Sequence, residues 1–146
     1  MSILDFLALL AASQVTLASD VFLERIQHDA NGRSTIVLEQ PRRVARGDRL
    51  LFVLSYRNVG AEPAQDFVVT NPVPDSVIYA GAGEAEPQVS VDWGRSWGAL
   101  SSLSVRDQAG GSRAARPEDV THVRWNIRRL VGAGESGRLT FHAVAR

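Results

Sequence analysis

Leu50-Leu51-Phe52-Val53-Leu54-Ser55-Tyr56-Arg57 is the run on which the fold turns. Leu50, Phe52, Leu54 and Tyr56 fall on one face of an extended chain, and Leu51, Val53, Ser55 and Arg57 fall on the other. That is the period-two pattern of a strand, not the three-to-four spacing of a helix. Arg46-Gly47-Asp48 precedes it as a turn whose glycine tolerates positive φ, and Asn58-Val59-Gly60 closes it. Upstream, Val15, Leu17, Ser19, Val21 and Leu23 share one face of a long first strand. Asn31-Gly32, the pair favoured in type I′ hairpins, predicts a return through Thr35-Ile36-Val37-Leu38. Downstream, Phe67-Val68-Val69-Thr70 reads as a strand stopped by Asn71-Pro72-Val73-Pro74-Asp75, because proline removes ladder donors.

Further strands are expected at Val77-Ile78-Tyr79, at Val89-Ser90-Val91-Asp92, in a partner segment from Trp97 to Val105, and over Val120 to Ile127 and Arg138 to Val144. Residues 107–119 read as a polar loop, and Gly132-Ala133-Gly134 as the last turn. Seven to nine strands at this spacing predict an all-β, antiparallel two-sheet sandwich.

Composition bounds the chemistry. The chain has 146 residues, 45% of them apolar, enough for one domain with a real core. Basic and acidic residues balance at 16 each, so no sequence-wide positive field favours nucleic acid. All 16 cations are arginine, which excludes Schiff-base lysines, a phosphate-loop lysine and lysine isopeptide crosslinks. With no cysteine there are no disulfides, thiol nucleophiles or thiolate zinc sites. No serine sits in a nucleophile elbow and no carboxylates pair at a catalytic spacing, so the sequence reads as non-enzymatic, with no cofactor.

Residues 1–13 read as a signal peptide. Phe6-Leu7-Ala8-Leu9-Leu10-Ala11-Ala12 is too short to span a bilayer, and Ala11 with Ser13 fits a small-x-small cleavage rule that starts the mature chain at Gln14. Asp5 stands where a positive residue is usual, consistent with a truncated start. The expectation is a single domain over 14–146, secreted, periplasmic or at the cell surface, with no membrane span in the mature chain.

Tyr56-Arg57-Asn58-Val59-Gly60, Phe67 to Pro74, Val77 to Tyr79, Ser90-Val91-Asp92, Thr121-His122-Val123-Arg124-Trp125 and Gly134-Glu135-Ser136-Gly137 occur in that order. Together they resemble the bacterial and archaeal envelope repeat catalogued as domain of unknown function eleven. The resemblance covers roughly residues 14–146 and implies an exported, immunoglobulin-like sandwich with no catalytic residues to assign. Members often stand in tandem; this sequence carries one copy.

Ser90-Val91-Asp92-Trp93-Gly94-Arg95-Ser96-Trp97 fits the Asp-box pattern, with Ser90, Asp92, Gly94, Ser96 and Trp97 bracing a hairpin. It resembles the boxes repeated in sialidases and other propellers, and one box is no propeller. Trp93 and Trp97 offer aromatic platforms for a sugar. If the last two strands pair with Val123 opposite Phe141 and Trp125 opposite Leu139, His122 faces His142 beside Arg124. With no acidic residue near in sequence, that outer surface reads as a solvated polar face and contact surface, not as a metal site. His28 has no evident partner, and Asp66, Asp75, Asp92, Asp107 and Asp119 read as turn residues.

Two functions follow. The first is a structural or interaction module of the cell envelope, working through its surface and sheet edges on an envelope protein or a second copy. A sharper form lets Gln14–Leu23 add to a neighbour's edge if it does not complete its own sheet. The second is a carbohydrate- or calcium-binding module using the loop aspartates and Trp93/Trp97.

Overall fold

The computed structural model describes residues 9–10, 14–83 and 85–146. The leader expected over residues 1–13 lies outside these residues except at Leu9–Leu10. The chain is all-β, an antiparallel two-sheet sandwich, as the alternation predicts. Strands run β1 Leu9–Leu10, β2 Val15–His28, β3 Ser34–Glu39, β4 Arg49–Asn58, β5 Phe67–Pro72 and β6 Val77–Ala82. They continue as β7 Gln88–Ser90, β8 Ser104–Arg106, β9 Ser112–Ala114, β10 His122–Ile127 and β11 Ser136–Ala145. One sheet has the order β3-β2-β4-β11-β6, and the other is β5-β10-β7 with the two residues of β1 along β5. Strands β8 and β9 form a separate ribbon.

The alternating face of β4 builds the core: Leu50, Phe52 and Leu54 are fully buried and Tyr56 nearly so. Phe52 lies directly opposite Phe141 of β11, the rings stacked 4.6 Å apart. Trp125 of the facing sheet closes on Phe141 at 6.3 Å, and Tyr56 meets Phe67 edge to face at 5.6 Å. Side chains from both inner faces therefore share one apolar layer, whose removal from water is the main force holding the sheets together.

That packing overturns the expected pairing of the last two strands. Strand β10 bonds β5 and β7, while β11 bonds β4 and β6, so the two lie in opposite sheets and meet only through the core. Residues 128–135 cross from one sheet to the other, anchored where Ala64 and Val131 exchange backbone bonds of 2.8 Å. Asn58, fully buried, fixes this crossing. Its Nδ2 donates to the carbonyls of Glu62 (2.7 Å) and Val131 (2.9 Å), and its Oδ1 accepts the Gly60 N–H at 2.9 Å.

Three local expectations are corrected. The β2–β3 hairpin forms, but Gly32 alone takes positive φ (79°), so Asn31-Gly32 is not the type I′ pair. Asp29 is the reason: its Oδ1 accepts the N–H groups of Asn31 and Arg33 and organises the loop one residue earlier. Strand β5 runs through Asn71 and Pro72 instead of stopping before them, because β10 is its one partner there among the described residues and the missing donor is not needed. The stretch 107–119 is not a plain loop, since it holds β9 and the 3₁₀ turn Pro117–Asp119. There Asp119 takes a two-pronged bond from Arg113, at 2.8 and 2.9 Å.

Candidate functional site

The Asp-box segment leaves β7 and turns back over the outer face of β10. Trp93 (φ 63°) and Gly94 (φ 86°) both take positive φ, as a tight I′-type turn demands. A tryptophan in that region is strained, and its neighbours hold it there. Ser90 Oγ, wholly buried, accepts the Gly94 N–H at 2.8 Å and donates to Asp92 Oδ1 at 2.8 Å. Asp92 also accepts from the Ser96 N–H at 2.9 Å and from the Ser96 hydroxyl. Trp97 Nε1 donates to the Gly94 carbonyl at 3.1 Å. The Ser96 hydroxyl, then the Ser96 N–H and the Ser90 hydroxyl, hold the Asp92 carboxyl down to about 2. All five residues of the sequence motif thus act in one brace.

The brace leaves Trp93 outside, 71% exposed. His122 lies opposite Ser90 in the β7–β10 ladder, which sets its ring between the two indoles. Trp93 and His122 meet edge to face at 6.1 Å, and Trp97 and His122 at 6.4 Å. Two residues along β10, the Arg124 guanidinium covers Trp97 at 4.5 Å from the ring centre, and its Nε donates to Gln88 Oε1 at 2.9 Å. Burial pushes the His122 imidazole down, so it is neutral near pH 7, and Thr121 Oγ1 lies 3.0 Å from its Nδ1. Beyond Arg124 a hollow of about 460 Å³ is lined by Asp66, Phe67, Gln88, Asn126, Ile127 and Arg128.

His142 is elsewhere. It lies on the outer face of the five-stranded sheet, its Nδ1 2.6 Å from Glu24 Oε1, so the expected His122–His142 pair does not form. His28 does have a partner, Ser34 Oγ at 3.0 Å across the hairpin. The loop aspartates do not converge. Asp107 receives the N–H groups of Ala109 and Gly111, Asp119 binds Arg113, and Asp92 serves the brace. Among the described residues no group of three or more His, Cys, Asp or Glu gathers at one point, and no helix is long and apolar enough to cross a membrane.

A second surface was not singled out in the sequence. Pairing of β2 with β4 ends at Glu24 opposite Arg49, whereas its pairing with β3 runs from Leu23 opposite Glu39 to His28 opposite Ser34. The distal hairpin, residues 25–38, therefore extends past the sheet as a two-stranded arm. Ile26 lies opposite Ile36, and Leu38 shares their face; they are 63%, 64% and 46% exposed. Strand β3 pairs with β2 alone among the described residues, leaving an edge that carries no proline, lysine or bulge to blunt it. The first strand, by contrast, pairs with β4 from Val15 to Glu24, so Gln14–Leu23 is not a spare donor strand. The signal for the arm was Ile36-Val37-Leu38, apolar on both faces where a half-buried strand should alternate.

No family model, no curated protein and no solved structure matches this chain.

Proposed function

We propose that the chain is a non-catalytic interaction module, exported to the bacterial cell envelope, that joins a second copy of itself through the open edge of β3. The observation that carries this reading is the arm. A two-stranded ribbon is marginal in water unless a face is covered, and this one presents Ile26, Ile36 and Leu38 to solvent. Antiparallel addition of β3 to its symmetry mate supplies the missing backbone bonds and doubles the apolar face. Pairing also sets Ile36 and Leu38 of one copy beside apolar side chains of the other across the new ladder, each cross-strand pair contributing about 0.2–1 kcal/mol. The ordered motif resemblance to the envelope repeat supports the location, as does the apolar run before Gln14.

Light scattering on the full chain across a concentration series tests this. The expected result is the mass of two chains or more, falling to one chain for Ile36→Lys with an unchanged circular dichroism spectrum. A wild-type monomer at every concentration, or an Ile36→Lys variant of unchanged mass, overturns the reading.

A further inference from the structure

We propose that the outer face of β10, from Trp93 to the hollow beside Arg124, binds an acidic glycan, an oligosaccharide whose pyranose rings carry carboxylates. This site is on the opposite sheet from β3 and stands independently of the edge reading.

The face has the parts such a ligand needs, in a suitable order. Trp93 contributes nothing to the core, yet a buried serine and an aspartate hold its turn at a strained φ with the indole in solvent. A large flat apolar ring fixed outward matches the C–H face of a pyranose, which has no charge and one apolar side. Next to it stand His122, Trp97 and Arg124 at successive separations of 6.1, 6.4 and 4.5 Å. Arg124 is already ordered by Trp97 beneath it and by Gln88 at its Nε. Its two terminal amino groups make no hydrogen bond among the described residues, leaving a fork suited to a carboxylate at little entropic cost. In the hollow beyond, Gln88, Asn126 and Asp66 supply the planar donors and acceptors that sugar hydroxyls require.

Charge selects the acidic class. Three arginines, Arg95 in the turn, Arg124 on the face and Arg128 in the hollow, outnumber the two carboxylates, Asp66 and the ionised Asp92. A peptide would seek a sheet edge, and here the flat face is what is furnished. A single-stranded nucleic acid would also use a stacking ring and arginines, but a chain with no net charge gives it little general attraction.

The test titrates the full chain with a tetragalacturonate, followed by tryptophan fluorescence and calorimetry, beside maltotetraose and an oligothymidylate. Trp93→Ala should weaken tetragalacturonate binding tenfold or more while leaving thermal unfolding unchanged. Arg124→Gln should remove the preference for the acidic over the neutral tetrasaccharide. Absence of tetragalacturonate binding at millimolar concentration, equal binding of maltotetraose, tighter binding of the oligothymidylate, or indifference to Trp93→Ala each overturns the proposal.

Discussion

Replacing Asn58 by alanine should cost this domain about 3–5 kcal/mol, a large part of the 5–15 kcal/mol that holds a domain of this size together. The side chain is completely buried and makes three bonds, two donated to the carbonyls of Glu62 and Val131 and one accepted from the Gly60 N–H. Each intact bond is worth about 1 kcal/mol net, and truncation also strands the Gly60 N–H, at about 1–3 kcal/mol, while the Val131 and Glu62 carbonyls keep the Ala64 N–H and Gln14 Nε2. Water reaching the half-buried Gly60 recovers part of that, which sets the lower end of the range. The damage is not local, because Val131 belongs to the crossing that carries the chain from one sheet to the other. Urea unfolding followed by the fluorescence of buried Trp125 reads this directly. With a slope of about 2 kcal/mol per molar, the midpoint should fall by about 1.5–2.5 M at unchanged slope. Asn58→Asp sharpens the test. It keeps an acceptor for Gly60 but sets a carboxylate against two carbonyls, so the carboxyl pKa is raised in the folded state. The variant should then lose stability as pH rises through that raised value and regain it in mild acid. A loss below about 1 kcal/mol for Asn58→Ala, or a pH-independent Asn58→Asp, refutes the bracing role.

Two further outcomes probe other parts of the account. Gly137 lies opposite Tyr56, and a Cβ built there overlaps Tyr56 Oη and Cζ, while Arg129 and Phe67 limit the ring's retreat; Gly137→Ala should therefore lower stability by about 1–3 kcal/mol, and a neutral effect in thermal unfolding would contradict this packing. Asp92 titrates at about 2 in place of the ordinary 3.8, so its contribution to the brace is complete above pH 4 and is lost only as pH falls through 2. A carboxyl titration by nuclear magnetic resonance that finds its midpoint near 4 would show that the serines do not hold it.

How far the sequence could be read follows from which interactions are local. The alternation from Leu50 to Arg57 is a property of consecutive residues, and the strand it predicts forms with the expected face buried. The Asp box is local too, and its five motif residues bond as a unit. Turn type was less legible because Asp29, an acceptor two residues upstream of Asn31, overrides the Asn-Gly preference. Sheet partnership was not legible at all for β10 and β11. Both alternate cleanly, and period two states that a strand has a buried face without stating which sheet it joins. The same limit hid the candidate site. His122, Arg124, Trp93 and Trp97 were each visible, but only the pairing of Ser90 with His122 sets them side by side, and only the separation of the sheets removes His142.

The absence of cysteine makes the β3 edge directly testable, since any thiol introduced is the only one in the chain. A two-fold axis perpendicular to a continuous antiparallel sheet must set one residue of β3 opposite its own copy, because outer-face positions can pair only with outer-face positions. Single cysteines placed at each position from Ser34 to Glu39 should therefore give a disulfide-linked pair of chains at one position and little at its neighbours. One step from the axis, the partner Cα atoms are already about 8 Å apart, beyond disulfide reach. One strong position flanked by weak ones is the result predicted for edge-to-edge assembly. Uniformly absent or uniformly weak crosslinking along β3 would contradict it.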